Sequence, residues 1–472
     1  MQKRYAQSLA GILASPYFGY FLLAGITLLA FGLRFYRLGD WSFWGDEVFS
    51  IGIKEDGFNY SVWRRSLATD LIQLTTSYLG TSEWSARLVP AAIGVVTIPL
   101  LYFPLKRAIN TPVALMTGML LAVSTWHLYW SQNARFYSLL LLFYSLALVA
   151  FFIAIEEDKP GYLIVSMLLL ALAARERLVA LFFLPTIVGY LIMLRVLPFE
   201  RPSGFRLRNL LLFFSPGSVG AFIFVGPYLG SLDTWFKNFG GPNNSPFWIL
   251  SGVVYYVGLP IIGIAFFGAI YLLQHKNRAA LFFGLAAIIP LVGMLVLSLF
   301  HYSANRYVFI SLTSWLILAS LALRELFTLL KKDGRILAAG ILVVLLAASL
   351  GDDVLYYRFQ NGNRPNWKAA FEYIQKHRKP GDIVVSPEVE LGNYYLQERP
   401  YGFRKFDYQR YESSGVRVWS VDNWEAEAEF PETIHWIRKN AQHVADFDVS
   451  VHARDFKIRV YLYDPDITLT KR

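Results

Sequence analysis

Two adjacent carboxylates are the first candidates for chemistry in this 472-residue chain: Asp46 and Glu47, in Trp44-Gly45-Asp46-Glu47-Val48-Phe49-Ser50. A carboxylate pair just past an apolar run could take a proton from a hydroxyl or bind a metal. The same spacing suits a plainer arrangement, with Asp46 capping a short amphipathic helix and Glu47 solvated. A second candidate is Ser131-Gln132-Asn133-Ala134-Arg135-Phe136-Tyr137, where Arg135 falls between two apolar runs. A guanidinium there suits a phosphate, through paired charge-assisted hydrogen bonds. A snorkelling arginine or an ion pair would share the spacing. Asn305-Arg306-Tyr307, with His301 just before it, poses the same two alternatives. In Arg175-Glu176-Arg177 the charges could satisfy one another. His127, set among aromatics, is expected to be packed or interfacial rather than a metal ligand.

The elements that must position these residues are membrane helices. The chain is 55% hydrophobic and 17% aromatic, more apolar than a soluble domain of this length requires. Runs long enough to cross a bilayer fall near 17–35, 88–105, 113–130, 136–155, 161–174, 177–195, 209–228, 247–273, 279–300, 307–323 and 336–351. Eleven spans are therefore expected, all helical, because unpaired amides are costly in hydrocarbon. Lys3 and Arg4 before a full-length apolar run suggest a retained first helix rather than a cleaved signal.

Of the net charge of +10, none comes from the residues beyond 351, which hold 18 basic and 19 acidic groups. The excess lies in the loops between spans, where it orients helices, so nucleic-acid binding is a poor explanation. Placing the N-terminus in the cytoplasm gives the inner loops 15 basic and 6 acidic residues, and the outer side 11 and 9. The first loop, 36–87, and the C-terminal residues then share the outer side. Seven outer acids (Asp40, Asp46, Glu47, Glu55, Asp56, Asp70, Glu83) lie in that loop. Tryptophans 41, 44, 63, 84, 126 and 130 fall at the same level, as an interfacial belt would.

The expected division is a membrane domain over 1–351 and an extracytoplasmic α/β domain over 352–472. In the latter, Trp367 to His377 has helical spacing, Pro380-Gly381-Asp382 turns into a strand at Ile383-Val384-Val385, and residues 456–463 alternate with period two. It shows no phosphate loop, dinucleotide fingerprint or catalytic triad, so packing or acceptor positioning is its expected role. With no cysteine, disulfides and thiolate metal sites are excluded, and an outer domain without disulfides points to a prokaryotic source.

At these motifs the sequence resembles the GT-C superfamily of polytopic glycosyltransferases, nearest to the protein-O-mannosyltransferase and aminoarabinose-transferase branch. The resemblance rests on Arg37-Leu38 with Trp44 to Ser50, on Gly80-Thr81-Ser82-Glu83-Trp84-Ser85-Ala86-Arg87-Leu88-Val89-Pro90, on Ser131 to Tyr137 and on Arg306-Tyr307. Asn366-Trp367-Lys368-Ala369-Ala370 with Pro380-Gly381-Asp382 resembles the periplasmic domain of many members. Two places depart from the pattern. Asp70 is followed by Leu-Ile-Gln-Leu-Thr-Thr-Ser-Tyr where members carry an Asp-x-His-Pro-Pro-Leu-Tyr-Tyr segment, and Arg175-Glu176-Arg177 replaces aromatic or histidine residues.

The resemblance implies a donor sugar on a polyprenyl phosphate and a lipid, glycan or protein acceptor. It makes Asp46 the general base and Glu47 its helper, with Arg135, Tyr137, Arg306 and Tyr307 on the donor phosphate. Asp70, Arg175, Arg177 and His301 are further substrate-site candidates. No cofactor is expected, and no essential divalent metal. The competing classes are a lipid transporter or flippase without chemistry, and a metal-dependent oligosaccharyltransferase or glycan ligase. The suspicious charges lie at one surface rather than at the bilayer midplane, unlike a transporter's.

Overall fold

The helices expected from the apolar runs form, and their ends follow from local chemistry. The computed structural model describes residues 17–52, 66–216, 245–301, 303–329, 331–407, 415–451 and 454–466. Its first helix, α1, spans Phe18–Phe35 and is followed by a six-residue helix α2, Gly45–Ser50, and by α3, Leu67–Leu79. The long α4, Glu83–Ala108, opens on a reciprocal cap, in which Ser82 and Ser85 each accept from the other's backbone N–H. α5, Thr111–Ala122, is capped by Asn110 and α6, Thr125–Ser131, by Ser124. Then come α7, Tyr137–Glu157, α8, Pro160–Glu176, and α9, Phe183–Val196. Beyond the next described break follow α10, Pro246–Val257, α11, Leu259–Gln274, α12, Arg278–Ser298, α13, Leu312–Leu329, and α14, Lys331–Arg358.

Among the described residues seven helices are long and apolar enough to cross a membrane, or nine if two bent pairs count as spans. The eleven expected spans are not reached, for three reasons. The run 113–130 breaks between α5 and α6 with a 62° bend, and 247–273 breaks between α10 and α11 with a 94° bend. The second break falls at Gly258, held at φ +92°, with Pro260 in the first turn of α11. Glycine ends the first helix at no steric cost, and proline starts the next where its missing N–H costs nothing. α8 has 17 residues, and 209–228 runs outside the described residues from 217 onward.

One end of the bundle collects the charges of the loops expected on the inner side. Arg107 pairs with Glu157 at 2.6 Å, Arg278 with Glu156 at 2.6 Å, and Arg206 and Arg208 with Asp158 at 3.0 and 3.2 Å. The first loop and the C-terminal domain meet at the other end. α14 continues to Arg358, past the boundary expected at 351, and a turn at Asn361–Asn363 leads into α15, Trp367–His377. The domain that follows has a mixed five-stranded sheet in the order β2-β1-β3-β7-β4. β1 (Ile383–Ser386) runs parallel to β2 (Tyr401–Gly402) and β3 (Val418–Asp422). β7 (Ile458–Tyr463) lies antiparallel between β3 and β4 (Gln442–Phe447). A small hairpin pairs β5 (Ser450–Val451) with β6 (Arg454–Asp455), and helices α16 (Val389–Leu396), α17 (Trp424–Glu429) and α18 (Pro431–Asn440) complete the domain.

This domain shares its core with the first loop. Phe43, Val48, Ile72, Ala86 and Ala134 pack in one cluster with Trp367, Phe371 and Ile374. Polar contacts seal the seam: Ser42 Oγ donates to the Pro365 carbonyl at 2.6 Å, and Tyr395 accepts from the Phe43 amide at 2.7 Å while donating to Glu83 at 3.0 Å. Within the bundle, close approach depends on small residues. A methyl built on Gly268 of α11 would stand 2.1 Å from the Ala322 Cβ of α13. Gly268→Val is therefore expected to wedge these helices apart and cost about 1–3 kcal/mol. A thermal-unfolding midpoint in detergent equal to that of the wild type would contradict the tight contact.

Candidate active site

The carboxylates that stand side by side in the sequence point into different surroundings. In the short helix α2 they are offset by about 100°, and Glu47 turns inward. Its side chain is fully buried, as is that of Arg87 on α4, which grips it through two hydrogen bonds of 2.8 Å. Arg364, 1% exposed, adds a third contact at 3.3 Å, and the Ala134 amide donates to the same carboxylate at 2.7 Å. Arg87 spends its remaining N–H groups on the carbonyls of Leu38, Trp41 and Ser42. Burial opposes the Glu47 charge, but Arg87 and Arg364 more than offset it and hold the carboxyl below its ordinary range. Glu47 is thus an internal anchor walled off from solvent.

Residues 132–135 each hold a different part of the first loop. Gln132 accepts from the Trp41 indole at 3.1 Å, Asn133 from the Trp44 indole at 3.1 Å, and Ala134 reaches Glu47 as described. Arg135 donates to the Asp46 carbonyl at 2.8 Å and to Ser50 Oγ at 3.3 Å. Trp41 is buried by these contacts, and Trp126 and Trp130 by the rings of Phe309, Tyr256 and Tyr137, so none of the three belongs to an interfacial belt. Trp84 stays exposed, and Trp63 lies outside the described residues.

Asp46 faces the other way, with 28% of its side chain exposed. Its Oδ2 lies 3.5 Å from Arg135 and 3.5 Å from Arg306. Arg177 stands behind them, over the rings of Phe136 and Tyr307, and hydrogen-bonds to the Tyr307 side chain. Desolvation raises the Asp46 pKa, but Arg135, Arg306 and Arg177 together hold it below the ordinary 3.8. The carboxylate stays ionised at neutral pH, and three guanidinium groups converge where an anion of more than one charge could replace it.

Arg306 and Gly45 also line a cavity of about 160 Å³ between the bundle and the C-terminal domain. Trp126, Trp130 and Tyr256 line it from the bundle, and Glu388, Trp424 and Glu425 from the C-terminal domain. Of the remaining expected site residues, Tyr137 is buried, with its ring centroid 3.8 Å from that of Trp130, and His301 is buried at 1% exposure. Asp70 and Arg175 pair with each other at 3.1 Å, both well exposed. The adjacent Glu176 accepts from the amides of Leu67 and Ala68, so it fastens the start of α3. Arg87, Arg364 and the acidic wall were not expected from the sequence. Arg87 stood inside a matched motif, whereas nothing local distinguishes Arg364 or Glu388 from solvated charges. Among the described residues no group of three or more His, Asp or Glu could hold a metal.

Residues 67–216 match the family described as dolichyl-phosphate-mannose-protein mannosyltransferase. No curated protein sequence matches the chain. Among solved structures, ArnT from Cupriavidus metallidurans in the apo state superposes with a TM-score of 0.60 at 15% identity, over 96% of this chain and 99% of that one. The same protein bound to undecaprenyl phosphate gives 0.60 at 15%, over 95% and 98%. The oligosaccharyltransferase AglB from Archaeoglobus fulgidus, in complex with an inhibitory peptide and a dolichol-phosphate, gives 0.57 at 11%, over 93% and 74%. The chain has the membrane fold of the GT-C glycosyltransferases, as its motifs suggested, with a small C-terminal sheet.

The anchor can be tested apart from the chemistry. Arg87→Met leaves Glu47 buried without its bidentate partner and is expected to cost about 3–5 kcal/mol of stability, whereas Asp46→Asn at the exposed carboxylate leaves the melting temperature near that of the wild type. Equal melting of Arg87→Met and wild type would remove the anchor from the account.

Proposed function

We propose that this protein is an inverting glycosyltransferase that moves a hexose or pentose from a polyprenyl-phosphate donor to a hydroxyl acceptor at the outer face of a prokaryotic membrane. The observation that carries the proposal is one partly exposed carboxylate within 3.5 Å of two guanidinium groups, one of which, Arg306, lines a cavity between an apolar bundle and the C-terminal domain. The family match over 67–216 and the likeness to structures that hold undecaprenyl phosphate and dolichol-phosphate support a lipid-phosphate donor.

In the proposed reaction Arg135 and Arg306 leave Asp46 for the donor phosphate, with Arg177 and Tyr307 behind them. Their charge neutralises the phosphate as the glycosidic C–O bond breaks, and a preorganised donor of this kind is worth about 3–4 kcal/mol in the transition state. Releasing the arginines also restores basicity to Asp46, which has little while three cations hold its charge. The carboxylate takes the proton of the acceptor hydroxyl as its oxygen attacks the anomeric carbon opposite the phosphate. The new bond therefore forms with inverted configuration, and the products are the glycoside, the polyprenyl phosphate and a proton returned to solvent. No metal is assigned a role, because guanidinium groups occupy the surroundings of Asp46 and would repel a divalent cation.

Asp46→Asn is expected to lower kcat by a hundredfold or more, by about the size of a general-base contribution, while donor binding persists. Turnover unchanged by the substitution would remove Asp46 from the mechanism. The base must be deprotonated to act, so kcat/KM should hold with falling pH until below 3.8, the ordinary aspartate value. Arg306→Gln removes one of the cations that hold the pKa down, and should move this acid limb to higher pH. A pH profile that does not shift would mean that another group titrates.

A further inference from the structure

The cavity between the bundle and the C-terminal domain is lined by residues with buried polar groups that have no partner among the described residues. Asn363, 5% exposed, has neither its Oδ1 nor its Nδ2 in a hydrogen bond among the described residues, and it lines the cavity. Its position is built rather than incidental: the backbone sits at φ +57°, and its amide donates to the Gln360 carbonyl at 2.8 Å. Asparagine tolerates that conformation better than most residues. Trp130, 3% exposed, lines the same cavity, and its Nε1–H is also without a partner among the described residues. Buried polar groups are nearly always paired, so orphans around one cavity mark where a ligand supplies the missing bonds.

The orphans define the ligand's chemistry. A carboxamide both donates and accepts, and an indole donates, which together match hydroxyl groups, since each hydroxyl can do either. The C-terminal domain faces them with Glu388 and Glu425, which only accept when ionised. The Glu388 carboxylate lies 3.2 Å from where a methyl on Gly45 would stand, so it reaches the residue next to Asp46. Trp424, 45% exposed, adds an aromatic face. Arg306 at the cavity's edge provides for one anion, while the carboxylates opposite disfavour a second.

We propose that this cavity seats an uncharged polyhydroxylated ring, its hydroxyls held by Asn363 and Glu388 and its apolar face against Trp424. The proposal rests on the glycosyl-transfer function above, and the ring is either the donor's sugar or a sugar acceptor. Glu388 and Glu425 favour a neutral ring over one bearing a carboxylate. The C-terminal domain thus selects the substrate, while the first loop supplies the base and the arginines at the bundle's end supply the phosphate grip.

The test uses the full chain in nanodiscs, with bare polyprenyl phosphate, a polyprenyl-phosphate hexose, a polyprenyl-phosphate hexuronate and a methyl hexoside as ligands. In Asn363→Ala and Glu388→Gln, binding of bare polyprenyl phosphate should stay within twofold of wild type, since neither residue touches the arginines' ligand. Binding of the hexose-bearing donor should weaken about tenfold, the loss expected for one charge-assisted hydrogen bond. If the methyl hexoside weakens instead and the donor does not, the ring belongs to the acceptor. Glu388→Gln should also narrow the preference for hexose over hexuronate. Sugar ligands unaffected by either variant, or bare phosphate weakened as much as the hexose donor, would overturn the subsite. Should Asn363→Ala fail to fold, Glu388→Gln alone decides. A wild type that ignores bare polyprenyl phosphate, yet binds the methyl hexoside through Asn363, would end the transfer function and leave the subsite standing.

Discussion

A carboxylate sealed inside the protein holds the rest in place. Glu47 lies with no solvent contact between Arg87 and Arg364, and so ties the first loop, the second long helix and the linker to the C-terminal domain. Leaving any of these charges alone in an apolar setting would be costly, so the three segments are held together by a shared penalty for separation. Because Asp46 adjoins Glu47 on a six-residue helix, fixing one fixes where the other points. The segment after Ser131 completes the arrangement, since Ala134 binds the anchor and Arg135 binds the exposed acid.

The same constraint explains why the chemistry sits at a seam. An apolar bundle can surround a lipid but offers few polar groups, and those it has are expensive to bury. Breaks at the ends of helices provide them instead: the bend after α5 brings Trp126 and Trp130 to the cavity, and the bend at Gly258 follows directly on Tyr256. The C-terminal domain supplies acids and a further aromatic wall from the starts of its helices α16 and α17. Its firm seating comes from Phe43 and Val48, which belong to the first loop but pack among its residues. Cations on one side and carboxylates on the other give the cavity a polarity that neither part has alone.

Several particulars were legible in the sequence because they are set by neighbours along the chain. The helix Trp367–His377 and the strand beginning at Ile383 follow from local periodicity and a Pro-Gly turn. Most spans follow from length and apolarity. The two bent pairs were read as straight, since hydropathy sums over a window and does not register a bend inside it. His127, expected to be packed or interfacial, is packed, against Arg34 at 2.6 Å, while three tryptophans assigned to the membrane interface turned out to be interior. Aromatic residues at a helix end look alike in sequence whether they meet lipid headgroups or a docked domain.

By itself the sequence determined the membrane class, the sidedness of the suspicious charges relative to one another, and the motifs around Asp46, Arg135 and Arg306. These are properties of composition, spacing and order. Only the tertiary structure decided that Glu47 is an anchor and Asp46 the exposed acid, that Arg364 crosses more than 300 positions to reach that anchor, and that Asn363 and Glu388 share a cavity. Pairing between distant charges depends on which surfaces the packed helices bring within a few ångströms, and spacing along the chain does not encode that, however strong the pair becomes once buried.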